Sequence, residues 1–580
     1  MTRPRAAAIL AAIALVPVLP FAFGYGRQDF LFHVESWVST ADVWRTGQFL
    51  PVWAPAASFN LGDPHLGLYP PISFFIGALL TLILPIRIAP AAFVWLAVLG
   101  CGLSMYHASR FFLAQQDRLP AAILYMLSPY VVTNATVRFA AAELLLQSFL
   151  PFILLAAYRL CAGKKSTLDP AVSPAQSNPV VASEIHPDFS PGSKPPRNPG
   201  FSPRDMLSGP KRQLPILAAL LALAWLTNFP GSIVLLYGLA ILAAIAAIQQ
   251  RTITPFLRIA AAEALALALT AFRLLPTWAE HTWIKEAVLY KRDPRMGLLF
   301  MPLPPFPDNV LMILFWIFLC AQTLLILAAL YRRTQPLNQD PPARTWLWLA
   351  AVAIFFQIPL AYPIWPLLPE LRVVQFPFRF LLFLAPVLPL LLLAPTTRTS
   401  LRKHLYAATV ALNVLPLLLF LAMQYAVRDT HVANLAADWH TQGYESAPEY
   451  TPANATAPTR PANRPPLATL NPDCTFTLVH ASALTRTFTT DSDAICTIRL
   501  PVFFYPYWSA RGETGQPIPT TADPTGLLLI PTPPGSHTVT VTFHAASPTR
   551  TAGLAISLAA LLLLLALYSI GRKLDYLGNL

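Results

Sequence analysis

The chain has 580 residues, of which 55% are apolar and only 12% carry a charge. Soluble proteins carry charge on about a quarter of their residues, so this composition excludes an ordinary soluble enzyme. The net charge of +13 does not argue for nucleic-acid binding, because the Lys and Arg residues of membrane proteins collect in cytoplasmic loops and orient the chain. We therefore expect a multi-pass membrane protein with membrane lipids as partners and no nucleic acid.

Apolar segments of about 20 residues, the length that an α-helix needs to cross a bilayer, recur along the chain. The candidate spans are residues 6–24, 71–87, 90–112, 119–136, 140–162, 213–229, 231–249, 254–275, 308–331, 345–366, 376–396, 403–426 and 552–571. No A-x-A-like cleavage site follows the first span, so we expect an uncleaved helix. The segment 71–87 is short and begins with proline, which favours a partly re-entrant path. The predicted fold class is a polytopic α-helical membrane protein with about 12 to 13 transmembrane segments.

Positive charge predicts the orientation of these segments. Basic clusters occur at Lys164–Lys165, Arg332–Arg333, Arg398–Lys403 and Arg572–Lys573, and each is expected in the cytoplasm. Both termini, including a tail at 572–580, then lie inside, and the loop 25–70 lies outside. Residues 163–212 are rich in Pro, Ser, Asn and Lys and lack hydrophobic periodicity, which predicts a disordered cytoplasmic loop.

One sizeable polar piece, residues 427–551, follows the transmembrane domain of residues 1–426. Its apolar runs, such as CTFTLVHA and HTVTVTFHA, contain β-branched and aromatic side chains and are bounded by turn-forming residues, which predicts strands. We expect an extracytoplasmic β-sandwich that the helix 552–571 re-anchors in the membrane. Cys474 and Cys496 lie in this domain, where an outside location without metal-ligand spacing favours a disulfide.

The first outer loop contains a cluster of ionisable groups in GYGRQDFLFHVESW, residues 24–37. Asp29 and His33 are four residues apart and would share one face of an interfacial helix. Glu35 would point away from Asp29 and into water. Asp29 precedes Phe30, at which the helix would begin, so capping of that helix is one role for its side chain.

Four further ionisable residues lie at or near membrane depth, where charged groups are costly and usually paired or functional. Arg138 and Glu143 are five residues apart, a spacing that does not favour a direct pair on one helix, so we expect each to meet a partner elsewhere. That partner could be functional or could form a structural interhelical ion pair. Arg372 and Arg379 flank VVQFPF; they could bind phosphate, or extend to the interface as ordinary snorkelling side chains.

Six parts of the chain, in order, resemble the bacterial membrane proteins called 6-pyruvoyl-tetrahydropterin-synthase-related, usually placed near the GT-C glycosyltransferases. The first outer loop carries Asp29 and His33 followed by GQFLPVW and GDPHLGLYPP; the later parts are VRFAAAELLLQSFLP, LTNFPGS, AFRLLP, VVQFPFRFL and FFYPYWSARGETGQPIP. The family name is historical, and nothing in the sequence points to pterin chemistry. In LTNFPGS this chain has Asn228 where the family often has histidine, which puts in doubt any role of a histidine there.

The resemblance implies a GT-C-like fold and a transferase that moves a sugar from a polyprenyl-phosphate donor to a cell-envelope acceptor, at the outer face of the bacterial inner membrane. Asp29 would be the general base that takes the proton of the acceptor hydroxyl, with capping as the alternative. The leaving lipid phosphate needs cations or a metal to stabilise its charge, and a divalent metal ion is an open option. The implied substrate-binding residues are His33, His65, Tyr69, Arg138, Glu143, Arg372 and Arg379. For His33, an interfacial histidine bonded to water is the alternative.

Two other functions stay open on the sequence alone. A transporter or lipid-handling protein would also have many apolar helices and few buried charges, although no inverted repeat is found to favour it. A GT-C-shaped protein could instead bind glycan through its β domain without catalysis. The sequence contains no Walker A loop, no HExxH, no CxxC and no GxSxG motif, so it offers no support for the chemistries that those motifs carry.

Overall fold

The computed structural model describes residues 3–22, 29–162, 212–286, 308–331, 340–368, 370–394, 442–456 and 466–577, with isolated positions between 333 and 418. The predicted disordered loop 163–212 lies outside the described residues except at its last position. Most of the predicted span 403–426 also lies outside them. Within the described part, helices fill the chain up to residue 394, and strands begin at Ala468.

The longer helices are numbered here in chain order. They are α1 (Arg3–Ile13), α2 (Phe30–Arg45), α3 (Ile72–Ile83), α4 (Ala89–Ala108), α5 (Arg118–Met126), α6 (Pro129–Ala135), α7 (Ala141–Cys161), α8 (Gln213–Trp225), α9 (Phe229–Gln250), α10 (Thr254–Leu269), α11 (Ala271–Glu280), α12 (Asp308–Tyr331), α13 (Pro341–Phe355), α14 (Leu381–Leu392) and α15 (Pro548–Leu577). Single helical turns occur at His65–Leu68 and Leu371–Val374, and 3-10 turns at Val16–Ala22, Pro359–Leu367, Pro377–Phe380 and Pro448–Tyr450.

Five of the described helices are long and apolar enough to cross a membrane. They are Arg3–Phe21, Ala89–Phe111, Ala141–Cys161, Phe229–Gln250 and Pro548–Lys573. Two bent pairs, α10 with the segment that starts at Ala271 (75°) and α13 with Pro359–Leu367 (89°), raise the number to seven if each pair is one span. Shorter apolar helices, among them α3 and α8, accompany them.

Prolines and capping residues break some predicted spans into two pieces. The predicted span 119–136 consists of α5 and α6, with Pro129 at the start of α6 and Ser128 as its N-cap. The Ser128 hydroxyl accepts a hydrogen bond from the N–H of Val131 (3.5 Å). Proline lacks a backbone donor and fits the first turn of a helix, so the second helix begins there instead of continuing the first.

The C-terminal domain is a two-sheet β structure whose strands are all antiparallel. Its strands are β1 (Ala468–Thr469), β2 (Thr475–Ala481), β3 (Thr485–Ser492), β4 (Cys496–Phe503), β5 (Trp508–Arg511), β6 (Pro517–Ile518), β7 (Thr521–Ala522), β8 (Leu527–Thr532) and β9 (Gly535–Phe543). One sheet has the order β1-β4-β8-β7 and the other β2-β3-β9-β5-β6. Phe488, Ile498, Leu528 and Val539 are fully buried core residues of the two sheets.

A disulfide joins Cys474 to Cys496. Cys474 precedes β2 of the five-stranded sheet, and Cys496 is the first residue of β4 in the other sheet, so the bond links the two sheets. The helix α15 follows the last strand. The predicted fold class, a helical membrane protein with a C-terminal β-rich domain followed by a last apolar helix, is confirmed.

Glu280, the last residue of α11, ties the β domain to the helices. Its carboxylate accepts hydrogen bonds from the hydroxyls of Tyr507 (2.6 Å) and Tyr505 (3.4 Å). It also pairs with the guanidinium of Arg550 in α15 at 2.8 Å. Because Glu280 is buried, this polar junction fixes the position of the β domain relative to α11 and α15.

Candidate active site

The start of helix α2 is held by the chain that precedes α7. The N–H of Asp29 donates to the carbonyl of Arg138 (2.9 Å), and the carbonyl of Asp29 accepts from the N–H of His33 (3.1 Å). Asp29 occupies the N-cap position, but its side chain makes no capping hydrogen bond. The residue is partly exposed, and its carboxylate interacts electrostatically with Arg138 and Tyr69. The capping role considered above is therefore not performed by this side chain.

Arg138 and Glu143 pair directly, contrary to the expectation from their spacing. Their Nη1 and Oε2 atoms are 3.1 Å apart, and both side chains are buried. The expectation was wrong because it placed both residues on one helix, whereas α7 begins only at Ala141. Phe139 between them has a positive φ of 47°, and this turn brings the guanidinium back over the first turn of α7. A carboxylate in that first turn is also favoured by the helix dipole.

Three other side chains complete a buried ion cluster, which we define as Tyr130, Asn134, Arg138, Glu143 and Arg379. Tyr130 donates its hydroxyl to one Glu143 oxygen, and Arg379 Nε lies 3.4 Å from the other. Arg138 also donates to the side chain of Asn134 (2.7 Å). The cluster thus joins α6, the start of α7 and the segment before α14, and one carboxylate neutralises one of its two guanidinium charges.

Two phenylalanine rings of the segment VVQFPFRFL lie under the guanidiniums. Arg138 lies 5.1 Å from the ring centre of Phe378, and Arg379 lies 5.4 Å from that of Phe376. Such cation–π contacts stabilise a desolvated guanidinium. Arg379 is therefore fixed inside the protein, 9% exposed, and does not extend to the interface as a snorkelling side chain.

His33 lies one turn along α2 and is buried beside the ion cluster. Burial, and in second place the charge of Arg138, lower the pKa of His33 to about 3. Its imidazole is therefore neutral at physiological pH and cannot attract phosphate as a cation. Its Nδ1 atom is buried with no hydrogen-bond partner in the described part of the chain, so the ring retains a hydrogen-bonding group for a ligand.

His65 belongs to a second buried network, next to the first. Its Nδ1 lies 2.6 Å from an Asp63 oxygen, and its Nε2 lies 3.0 Å from the hydroxyl of Ser36 in α2. The other Asp63 oxygen accepts a hydrogen bond from Ser446. Both ring nitrogens of His65 are engaged and the side chain is fully buried, so His65 fixes the loop to α2 and presents no atom to a substrate.

Tyr69 lies between the two networks. Its ring stacks on Phe74 with centres 4.8 Å apart, and it contacts the ring of Phe32 at 5.3 Å. Arg273 of α11 holds the backbone here, donating to the carbonyls of Leu66 and of Tyr69, the latter at 2.6 Å. Tyr69 is partly buried, and it lies close enough to Asp29 and to the charged residues of the ion cluster to interact with them electrostatically.

Glu35 is buried, whereas its place on a helix relative to Asp29 predicts a side chain in water. It is 4% exposed, because the segment 442–456 covers this face of α2; for example, Tyr444 bonds to Ser39 of α2 (3.0 Å). Burial, together with the nearby charge of Glu445, raises the pKa of Glu35 to about 8. The expectation was wrong because a helix considered alone gives no sign of a covering segment from a distant part of the chain.

Two other positions that the sequence brings forward are Arg372 and Asn228. Arg372 lies in the helical turn Leu371–Val374, and its side chain is outside the described part of the structure. Asn228 is the N-cap of α9, and its side-chain oxygen accepts from the N–H of Gly231 (2.6 Å). Asn228 therefore caps a helix.

Several residues of the site were not selected from the sequence. Asp63 stands in the quoted stretch GDPHLGLYPP, directly before Pro64 and His65, and an Asp two residues before a His was a usable signal. Tyr130 and Asn134 are part of an ordinary apolar helix in the sequence, and Ser446 lies in a polar linker. No local sequence pattern marks Tyr130, Asn134 or Ser446 as a residue of the site.

The described residues contain no group of three or more His, Cys, Asp or Glu side chains arranged to hold a metal ion. In the ion cluster, the Glu143 carboxylate is surrounded by a tyrosine hydroxyl and two guanidiniums. Cationic donors in these positions repel a divalent ion, so the ion cluster does not fit the metal that the resemblance left open.

No family model and no curated protein matches the chain. Among solved structures, the chain is similar to the oligosaccharyltransferase of Archaeoglobus fulgidus in its apo form, with 12% identity and a TM-score of 0.37 over 80% of this chain and 61% of that one. AglB from the same organism, in complex with an inhibitory peptide and a dolichol-phosphate, gives 12% identity, a TM-score of 0.40 and the same coverage. This chain thus spans only 61% of the length of those proteins. Similarity of this size is not specific to one function, and the chemistry has to come from the site's own residues.

Proposed function

We propose that this protein is a GT-C-type glycosyltransferase that moves a sugar from a polyprenyl-phosphate donor to a cell-envelope acceptor at the outer membrane face. The observation that carries the proposal is the meeting of Arg138 and Arg379, two arginines from distant parts of the chain, around the buried carboxylate of Glu143, with the backbone of Arg138 bonded to that of Asp29. Ionisable groups in apolar surroundings of this kind are costly and are functional candidates by default.

In the proposed reaction, the Asp29 carboxylate takes the proton of the acceptor hydroxyl while that oxygen bonds to the anomeric carbon of the donor sugar. The bond between the anomeric carbon and the phosphate oxygen breaks, and its electron pair leaves with the lipid phosphate. A positioned carboxylate base contributes about 10²–10⁴-fold to such a rate. Asp29 suits this role better than Glu143, because Asp29 is partly exposed whereas Glu143 is 2% exposed and already accepts three hydrogen bonds.

The two arginines are proposed to stabilise the leaving phosphate. A guanidinium has five N–H donors, so the contacts to Glu143 leave others available. The Nε of Arg138 is buried and has no hydrogen-bond partner among the described residues. Hydrogen bonds from preorganised cations to a developing anionic charge are among the largest single contributions to catalysis. Glu143 is proposed to hold the two like-charged side chains together in the absence of substrate.

The sequence supports four more detailed parts of the proposal. These are membership of the 6-pyruvoyl-tetrahydropterin-synthase-related group, the bacterial inner membrane as location, and cytoplasmic termini. They also include the division into a transmembrane domain (1–426), an extracytoplasmic domain (427–551) and a re-anchoring helix (552–571). The order of the family-like stretches supports the first two, the basic clusters support the orientation of the termini, and the sequence patterns of the segments support the division into domains.

Transfer from a polyprenyl-phosphate sugar by the purified full-length protein tests the proposal. Asp29→Asn removes the base without changing the size of the side chain, and we expect a loss of about 10²–10⁴-fold in turnover. Asp42→Asn is the matched control, because Asp42 lies near the other end of α2 and pairs with the exposed Arg45. Full activity of Asp29→Asn, or equal losses in both variants, would rule out Asp29 as the base.

A further inference from the structure

A cavity of about 290 Å³ lies where the first loop meets the segment 442–456 that leads into the β domain. We call it the loop-1 cavity. Its polar lining consists of Ser58, Lys285, Glu445, Ser446, Thr451 and Thr456. The volume is at the lower end of the range of roughly 300–1,000 Å³ for ligand pockets, which indicates a small ligand. None of these residues belongs to the ion cluster.

Ser58 gives the clearest sign that the loop-1 cavity receives a ligand. The residue is 1% exposed, and its hydroxyl is buried without a hydrogen-bond partner in the described part of the protein. A buried hydroxyl that lacks a partner is unfavourable, and each such group in a folded protein calls for an explanation. A hydroxyl-bearing ligand in the cavity would supply the missing partner.

The backbone that presents Ser58 is strained. Ser58, Phe59 and Asn60 are three consecutive residues with positive φ angles of 51°, 54° and 67°. Non-glycine residues adopt this conformation rarely, and strain of this kind persists only where the surroundings enforce it, commonly at ligand sites.

The segment before the β domain enforces this strained turn. The N–H of Phe59 donates to the carbonyl of Tyr444 (2.9 Å), and the N–H of Tyr444 donates to the carbonyl of Ala56 (3.0 Å). Gly443 approaches so closely that an added Cβ would lie 2.5 Å from the backbone nitrogen of Asn60. The two walls of the cavity are therefore fixed against each other.

The floor of the cavity is continuous with the network of His65. Ser446 lines the cavity and donates to Asp63, which in turn holds His65. Tyr450 lies next to the lining residue Thr451, and its ring is parallel to that of Phe32 in α2 with centres 6.2 Å apart. Since Phe32 also contacts Tyr69, these aromatic contacts connect the segment beside the cavity to the residues around the ion cluster.

The lining favours a neutral ligand rich in hydroxyl groups. Four of the six polar residues are serines and threonines, whose hydroxyls both donate and accept hydrogen bonds. The remaining two, Lys285 and Glu445, carry opposite charges, and the Lys285 ammonium already donates to the carbonyl of Ala455. A phosphate would meet the Glu445 carboxylate, and a metal cation would meet Lys285. A sugar ring satisfies all of these groups.

We propose that the loop-1 cavity binds a carbohydrate of monosaccharide size and that, on the basis of the transferase function proposed above, it holds the sugar of the acceptor. Ser58 and Ser446 bond to ring hydroxyls, and Glu445 accepts a hydrogen bond from one of them. The acceptor is then a glycan or glycolipid, whose terminal hydroxyl extends past Tyr450 toward Asp29.

Binding of free monosaccharides to the detergent-solubilised full chain tests this proposal without any donor. The probes are D-glucose, D-mannose, D-galactose and N-acetyl-D-glucosamine, observed by saturation-transfer NMR and titrated for affinity. We expect at least one to bind, and expect Glu445→Gln and Ser58→Ala each to weaken it by about tenfold or more, as loss of a charged or buried hydrogen-bond partner does. Glu449→Gln, in the same segment but not lining the cavity, is the matched control.

Thr456→Val is a second cavity variant at an exposed position, where the hydroxyl also donates to the carbonyl of Pro524 at the surface (3.1 Å); it too should weaken binding. Binding lost in the cavity variants and kept in Glu449→Gln supports the site. No binding of any probe to the wild type, or equal binding by all variants, overturns it. Carbohydrate binding that depends on Glu445 in a protein without transferase turnover would leave the cavity assignment standing and would refute only the proposed reaction.

Discussion

Glu143 holds the ion cluster together, because its two carboxylate oxygens accept a hydrogen bond from Tyr130 and pair with Arg138 and Arg379. Without that carboxylate, two buried guanidiniums would face each other without a compensating charge. Breaking a buried ion pair by removing one partner costs about 3–5 kcal/mol, because it leaves an uncompensated charge. A single side chain therefore connects α6, α7 and the segment before α14.

Glu143→Gln should lower the free energy of unfolding by about 3–5 kcal/mol. The measurement is thermal unfolding of the purified variant in detergent, followed by tryptophan fluorescence. Glu263→Gln is the control: Glu263 is also a buried helix residue, but its carboxylate accepts a hydrogen bond from the neutral indole of Trp225 (2.6 Å). Equal shifts in the two variants would contradict the role assigned to the arginines.

Glu35 makes stability depend on pH. Its pKa is raised from 4.5 to about 8 in the folded protein, so between these values the folded chain holds a proton that the unfolded chain has released. The contribution of Glu35 is fully present below about pH 4.5 and is lost as the pH rises through about 8. His33 affects stability over a lower pH range than Glu35, because its pKa is lowered to about 3.

Glu35→Gln should therefore flatten the decline of the unfolding temperature as the pH rises from about 6.5 to about 9. Glutamine has the shape of the protonated acid and does not ionise, so the variant should be more stable than the wild type at the alkaline end. Unfolding temperatures across this range measure the effect, with Glu449→Gln as control. A wild-type slope that survives in Glu35→Gln would show that another group is responsible.

At the scale of elements, two irregular stretches decide where the site residues meet. The turn at Phe139 brings Arg138 to Glu143, and the left-handed run from Ser58 to Asn60 forms one wall of the loop-1 cavity. Both depend on backbone conformations that non-glycine residues avoid. Each is held from outside, the first by the hydrogen bond from Asp29 and the second by the segment at Gly443.

Gly443→Ala should destabilise the protein by more than the roughly 1–2 kcal/mol that a positive φ costs a non-glycine residue. Its φ is +70°, and the added methyl group would lie 2.5–2.7 Å from backbone atoms of the first loop. Gly515→Ala is the matched control, because its φ is +80° but nothing lies within 4 Å of the added atom. Thermal unfolding of both variants gives the comparison, and a shift for Gly443→Ala no larger than the control's would refute the contact.

The sequence predicts the helices because an apolar run of membrane length is a local pattern, and it predicts the strands of the β domain for the same reason. It does not predict the pair of Arg138 with Glu143, because that pair depends on one unusual φ angle. Nor does it predict the burial of Glu35, which depends on a contact between residues 405 positions apart, Ser39 and Tyr444. The candidate site was therefore predictable as a set of ionisable residues but not as a geometry.

At the scale of the whole molecule, the β domain completes the site that the helices begin. The segment 442–456 covers α2 and lines the loop-1 cavity, while Glu280 and Arg550 fix the domain to α11 and α15. Weakening the contact between Glu280 and Arg550 should lower the stability of the protein and change the distance between the loop-1 cavity and the ion cluster.

Glu280→Gln should cost up to about 3 kcal/mol, since Arg550 loses its charged partner but keeps 17% of its side chain exposed. The β domain should also become more sensitive to limited proteolysis. Glu513→Gln, on the exposed surface of the same domain, is the control and should leave both readouts unchanged. Unaltered proteolysis of Glu280→Gln would mean that the junction does not fix the domain.

Resolving the turnover of Asp29→Asn into kcat and KM shows whether Asp29 is the base of a glycosyl transfer. A base acts in the transition state and contributes little to binding of the donor. If Asp29 is the base, kcat falls by about 10²–10⁴-fold while KM for the polyprenyl-phosphate sugar stays close to that of the wild type. An unchanged kcat, with or without a change in KM, would contradict it.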